Sequence, residues 1–137
     1  MNVQIRELEQ NESVPKQLLL TADPSEEVQS EYLNSGKCYV AELNKEIIGE
    51  YVLLRLNTVL AEIKNIAVVE EFQNHGIGKQ LIKHACRTAQ KLNCSEIQIC
   101  TGNSSIKQLK LYQKMGFEID RIVKNYFIEN YSQHIFE

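Results

Sequence analysis

Apolar positions along the chain repeat every second residue in its first half. After residue 76 they repeat at helical spacing. Residues 3–8 alternate Val3, Ile5 and Leu8 with polar neighbours and predict a first strand. Pro15 and Leu18-Leu19-Leu20 predict a short helix. Asp23-Pro24-Ser25-Glu26-Glu27 predicts the start of a second, with Asp23 as cap, Pro24 in the first turn and two glutamates at the positive end of the dipole. That helix should stop at Gly36. Residues 38–43 and 47–56 read as a hairpin around Asn44-Lys45. Asn57-Thr58 turns the chain into a further strand at 60–69, so three strands form a meander.

Residues 77–92 then place Ile77, Leu81, Ile82, Ala85, Ala89 and Leu92 on one helical stripe, with Lys79, Lys83, Arg87 and Lys91 mostly off it. Asn93 ends this helix. Residues 96–100 form a short strand reached by a crossover helix, which predicts parallel pairing with the strand at 60–69. A second, shorter helix at 105–115 and a strand at 117–123 follow, with Gly116 between them. The order β, α, α, β, β, β, α, β, α, β defines a mixed α/β class: antiparallel strands followed by a βαβ crossover, in one domain spanning 1–137.

Composition narrows the partners. A chain of 137 residues can bury roughly two thirds of its unfolded surface without disulfides or metals. The net charge of −3 argues against a general nucleic-acid binder. No apolar run approaches the roughly 20 residues that span a bilayer, and the N-terminal residues lack the apolar core of a signal peptide. The expectation is a cytoplasmic protein with no membrane partner. Its four cysteines (Cys38, Cys86, Cys94 and Cys100) lack metal-ligand spacing and are expected as reduced, mostly buried thiols.

The chemistry concentrates in residues 63–81, where an apolar strand runs through a polar, Gly-containing turn into the long helix. A helix start of this kind presents free N–H groups and a positive dipole end to a phosphate or pyrophosphate. It is not a P-loop, because Gly78-Lys79 is followed by Gln80 rather than Ser or Thr. It is not a dinucleotide fingerprint, because the third glycine position is Leu81. What remains is Gln73-x-x-Gly76-x-Gly78, whose ordinary alternative is a turn that simply needs two flexible residues.

This stretch resembles the acetyl-CoA site of the GNAT superfamily, the GCN5-related N-acetyltransferases, whose signature is Gln or Arg, two residues, Gly, one residue, then Gly or Ala. Residues 62–68 look like the family's fourth strand. Asn103-Ser104 and Leu111-Tyr112-Gln113-Lys114-Met115-Gly116-Phe117 look like its second cofactor-contacting motif. The similarity covers residues 60–123 well and the first half in topology only. It implies the acyl-CoA N-acyltransferase fold, with acetyl-CoA as co-substrate and an amine as acceptor.

On that resemblance, the pyrophosphate lies on the amides of Asn74, His75, Gly76, Ile77, Gly78 and Lys79, with Gln73 opening the motif. The pantetheine runs beside Ile66, Ala67 and Val68 like an added strand. A free N–H, that of Ala67 in this register, polarises the thioester carbonyl; donors of this kind contribute ~3 kcal/mol each. Failed alternation at residues 66–69 fits the bulge the family carries there. Asn103 bonds the pantetheine or caps the following helix. Tyr112 matches the general acid that protonates the thiolate, a phenol with a free pKa of about 10 being protonated at neutral pH; its alternative is a core tyrosine. Glu62 matches the general base of some members, against the alternative of an exposed strand glutamate near Lys64. Cys100 falls near the strand splay, but direct attack by the amine is the family's usual route.

Residues 124–137 match the family's seventh strand poorly. Either that strand is missing, or a partner supplies it, or the segment closes the acceptor pocket in another form; an exposed sheet edge would invite a homodimer. The leading expectation is an N-acetyltransferase acting on a small-molecule primary amine. The alternatives are a non-catalytic acyl-CoA sensor and a protein N-terminal or lysine acetyltransferase.

Overall fold

In the computed structural model, residues 2–23 and 25–99 are described. The expected helix at 105–115, the strand at 117–123 and the tail at 124–137 lie outside them, and so do Cys100, Asn103 and Tyr112. The described elements are β1 (Gln4–Glu7), α1 (Lys16–Ala22), α2 (Glu26–Ser35), β2 (Lys37–Leu43), β3 (Glu46–Arg55), β4 (Leu60–Val68), α3 (Ile77–Lys91) and β5 (Glu96–Ile99), with one 3₁₀ turn at Glu70–Phe72. The five strands form one sheet in sequence order. Pairs β1–β2, β2–β3 and β3–β4 are antiparallel, and β4–β5 is parallel, as the crossover through α3 requires. No helix among the described residues is long and apolar enough to cross a membrane.

Helices cover both faces of the sheet, which is why its central strands read as nearly continuous apolar runs. The stripe of α3 packs on one face, where Tyr51, Ile63, Leu81 and Ile82 are among the fully buried side chains. The opposite face meets α1 and α2 through Leu19, Val28, Tyr32, Cys38, Val40 and Val52. Truncating a leucine buried as deeply as Leu81 costs about 2–5 kcal/mol. The β2–β3 turn has Asn44 and Lys45 both in the left-handed region, φ 50° and 68°, the geometry of a tight hairpin turn whose twist suits the strands.

Two expectations change, those for the α2 cap and for the β4 irregularity, and a third, the stop at Gly36, holds for a different reason. Asp23 does not cap α2: the cap is Ser25, whose Oγ accepts from the Val28 N–H at 3.2 Å. Asp23 is buried instead. Its Oδ1 accepts from the Ser25 N–H at 3.0 Å, and its Oδ2 accepts from the Tyr32 hydroxyl at 2.9 Å. The aspartate therefore locks α2 onto the end of α1, a tertiary task that local pattern does not reveal. Gly36 ends α2 with extended backbone, φ −108° and ψ −171°. It is needed for closeness, since a Cβ there would lie 2.7 Å from the Leu53 carbonyl oxygen. The irregularity of β4 falls at Lys64 rather than at residues 66–69: Val52 pairs with Asn65 and Leu53 with Ile63, leaving Lys64 as the extra residue.

Candidate acetyl-transfer site

β4 meets β5 over four residue pairs, from Leu60 with Glu96 to Ile63 with Ile99. It then continues to Val68, held on its other side by β3 through Asn65–Val52, Ile66–Tyr51, Ala67–Glu50 and Val68–Gly49. The β5 side of the ladder is described as far as Ile99. The Val69 N–H donates to the Ile48 carbonyl at 2.8 Å, so in this register Ala67, the residue expected to offer a free N–H, turns it to β3 instead, while Ile66 and Val68 turn N–H and C=O away from β3, the arrangement an extended ligand can join as a strand.

After β4 the chain makes the 3₁₀ turn at Glu70–Phe72, which the sequence pattern does not anticipate. Gln73 then folds back, its Nε2 donating to the Val68 carbonyl at 3.1 Å. This bond ties the turn to the end of β4, so Gln73 fixes the loop's path. Asn74 and Gly76 are left-handed, φ 68° and 81°. His75 is exposed and its Nδ1 lies 2.9 Å from the Gln73 carbonyl, which requires the proton on Nδ1.

Gly76 caps α3 without a side-chain bond, and no acidic residue occupies the first turn. Nothing lies within 4 Å of where a Gly76 Cβ would stand, so the glycine is required by its backbone angle and leaves open space above the turn. The first-turn amides of Ile77, Gly78 and Lys79 precede the first intrahelical bond, Gln80 N–H to the Gly76 carbonyl at 3.1 Å. They sit at the positive end of a helix of 15 residues.

Glu62 pairs with Gln98 across the β4–β5 ladder. It is 5% exposed, which removes the alternative of an exposed strand glutamate. Its Oε1 accepts from Gln98 Nε2 at 2.6 Å, and its Oε2 lies 2.5 Å from Lys64 Nζ. Lys64 and Gln98 are thus the partners that sequence reasoning did not assign to it as a group.

Opposite Ala67, on β3, Glu50 is fully buried, and neither of its oxygens accepts a hydrogen bond from a protein donor. Burial pushes its carboxyl well above the usual carboxylate range. One signal was available: Glu50 is a charge inside the apolar run from Ile47 to Leu54. Beside it, Asn65 Nδ2 donates to the Leu19 carbonyl at 3.0 Å and to the Tyr32 hydroxyl at 2.9 Å. On the α3 face, Tyr51 stacks on Tyr39 at 4.8 Å, and its hydroxyl meets His84 Nδ1 at 2.7 Å. That cluster belongs to the packing of α3.

An antiparallel meander followed by a parallel crossover through an uncapped, glycine-opened helix fits an acyl-CoA-dependent transferase fold. The acetyltransferase (GNAT) domain family model matches residues 34–119. The chain is 48% identical to a GNAT family acetyltransferase from Elizabethkingia anophelis, solved with acetyl-CoA bound; the match has a TM-score of 0.89 and covers 99% of this chain and 89% of that one. It is 44% identical to a Bacillus subtilis acetyltransferase solved in complex with CoA, with a TM-score of 0.84 over 99% and 90% of the two chains. It is also 46% identical over 140 residues to the uncharacterized N-acetyltransferase YvbK of Bacillus subtilis, covering 100% of this chain and 90% of that protein. The chain belongs to the GNAT family of N-acetyltransferases.

Proposed function

We propose that the protein moves the acetyl group of acetyl-CoA to the primary amine of a small molecule by direct attack. The observation that carries this is the end of β4: Ile66 and Val68 turn their N–H groups away from β3, and the chain then leads into the uncapped start of α3. A thioester with a pyrophosphate tail fits that line, its pantetheine along Ile66, Ala67 and Val68 and its phosphates on the amides of residues 74–79. The acetyl-CoA of the Elizabethkingia relative and the CoA of the Bacillus subtilis relative support the same co-substrate here.

An N–H that β4 turns away from β3, that of Ile66 or Val68, polarises the thioester carbonyl and steadies the oxyanion of the tetrahedral intermediate. Because such a donor is held in place before the reaction, it contributes ~3 kcal/mol. Tyr112 returns a proton to the departing thiolate, and Asn103 supports the pantetheine; both roles come from the family motif. Glu62 is the family-position candidate for the base. Its two oxygens are committed to Gln98 and Lys64, so taking a proton would break an ion pair made out of water. We assign it first to holding β4 against β5.

The test is free-thiol release from acetyl-CoA with a panel of small primary amines and, separately, peptides with free N-termini or lysines. Thiol release driven by small amines is expected. Binding of acetyl-CoA with no acceptor-dependent release would favour an acyl-CoA sensor, and release with peptides alone would favour a protein acetyltransferase. A homodimer through an unpaired sheet edge belongs to the same proposal and is read by sedimentation equilibrium.

A further inference from the structure

We propose that Glu50 and Asn65 form the acceptor-amine subsite, in which Glu50 takes the proton shed by the attacking nitrogen and Asn65 Oδ1 receives one of its N–H groups. This inference rests on the acetyl-transfer reading above and names the residues that would meet the acceptor.

Three buried oxygens carry the argument. Both carboxyl oxygens of Glu50 and the Oδ1 of Asn65 accept no hydrogen bond from a protein donor, although Glu50 is 0% and Asn65 3% exposed. Buried polar atoms are nearly always paired, and among the described residues these oxygens have no donor other than the proton the Glu50 carboxyl itself can carry, so once that proton is lost they suit an N–H-bearing guest. The orientation of Asn65 is fixed by chemistry. The Leu19 carbonyl can only accept, so the atom facing it is the amide nitrogen, and Oδ1 is left turned elsewhere. Nor can the Tyr32 hydroxyl serve these oxygens, because it donates to Asp23.

Register brings the two residues together. Glu50 pairs with Ala67, and Val52 pairs with Asn65, so Glu50 and Asn65 are diagonal neighbours on adjacent strands. Both stand on the α1/α2 face. Val40 and Val52, which flank Glu50 in the sheet, pack there with Leu19 and Tyr32, and the Asn65 amide reaches Leu19 and Tyr32 directly. Diagonal positions lie roughly 7–8 Å apart, within reach of long side chains. In the register set by the Val69 N–H to Ile48 carbonyl bond, Ala67 turns its N–H to Glu50, and its neighbours Ile66 and Val68 turn theirs away from β3, where the acetyl-transfer reading puts the thioester carbonyl. A carboxyl one strand away from them is placed for a nitrogen attacking the carbonyl carbon, whereas Glu62 is held by Lys64 and Gln98. Among the described residues, the other titratable groups on this face are Asp23, Tyr32, Cys38, the Arg6–Glu12–Glu42 cluster and the Glu62–Lys64 pair. Both cations are engaged, Arg6 by Glu12 and Glu42 and Lys64 by Glu62.

The step balances without an added reagent. A neutral amine attacks the thioester carbon, forming the C–N bond. Its nitrogen passes one proton to the Glu50 carboxylate, the C–S bond breaks, and the thiolate takes a proton from Tyr112. Solvent then returns the Glu50 proton to the Tyr112 phenolate. Burial supports this use of Glu50, since a carboxyl raised toward neutrality is a better match to an ammonium-like nitrogen than an exposed one.

The experiment compares the full chain with Glu50→Gln and Glu50→Asp. Thiol release from acetyl-CoA is followed across pH with ethanolamine, tyramine, spermidine and lysine amide, and CoA affinity is measured by calorimetry. Glu50→Gln should keep its fold and CoA affinity but lose about 10²-fold in kcat/KM. Its acidic limb should become shallower, because only the amine's own ionisation remains. Glu50→Asp should recover part of the rate and the steeper limb. A Glu50→Gln variant within twofold of the parent at every pH overturns the subsite and leaves the acetyl-transfer reading standing. Tight CoA binding with no thiol release from any amine, in the parent itself, overturns both.

Discussion

Lys64 Nζ lies 2.5 Å from Glu62 Oε2, and the two side chains are only 9% and 7% exposed. Lys64 is the bulged residue of β4, so the bulge turns its ammonium back onto the carboxylate two residues earlier. Breaking such a pair from one side leaves a buried charge without its counterion. Lys64→Met is expected to destabilise the fold by about 3–5 kcal/mol in urea denaturation. A loss below about 1 kcal/mol would mean that water reaches the pair.

Glu50 makes stability depend on pH in the opposite sense to a salt-bridged acid. Its folded carboxyl holds its proton above the ordinary carboxylate range, because burial penalises the charge. Between the unfolded and the folded pKa the native state binds more protons than the unfolded chain, so stability falls as pH rises through that window. The slope reaches up to about 1.4 kcal/mol per pH unit. Glu50→Gln should flatten this dependence and be the more stable protein at alkaline pH. Parallel denaturation curves for both proteins across pH would show that the carboxyl is not held protonated.

His84 has the reverse sign. Burial, then the charges of Arg87 and Lys91, lower its pKa, and its Nδ1 meets the Tyr51 hydroxyl. The unfolded chain therefore takes up a proton first as pH falls below the ordinary histidine value, and stability declines through the folded pKa. In His84→Gln this acid-side decline should be reduced, as read by thermal melts at mildly acid and neutral pH.

Two small residues near the helix ends separate space from backbone angle. Gly36→Ala sets a Cβ against the Leu53 and Tyr32 carbonyl oxygens, at 2.7 and 3.0 Å, and backbone on both sides leaves little room to yield. A loss of about 1–3 kcal/mol is expected in denaturant. Gly76→Ala meets no atom but keeps φ at 81°, which costs about 1–2 kcal/mol. Only Gly76→Ala should also weaken CoA in calorimetry; equal CoA affinity in the two variants would detach Gly76 from the cofactor.

The described elements were legible because their signals are local. The stripe from Ile77 to Ala89, the Asn44-Lys45 turn and the apolar runs of β2 to β4 each specify an element within a few residues. What sequence did not show depends on partners distant in the chain. Asp23 looked like a cap because nothing nearby reveals that Tyr32 will accept it as a bonding partner. Glu62 could be read as an exposed strand glutamate because alternation cannot register Gln98, 36 residues away across the sheet. The β4 bulge was misplaced for the same reason: a bulge is a property of a pair of strands, and Ile66 and Ala67 are buried on opposite faces without one. In the candidate site, the turn and its glycines were visible, while Glu50 required knowing which way β3 faces.

The extra residue at Lys64 leaves the two faces of β4 in step. Ala61, Ile63 and Ile66 all face the core under α3, although the last two are three residues apart. A strand without Lys64 would keep that facing and alternate regularly, but it would leave the Glu62 carboxylate buried without its cation. The added residue therefore serves a charge rather than the packing of the sheet.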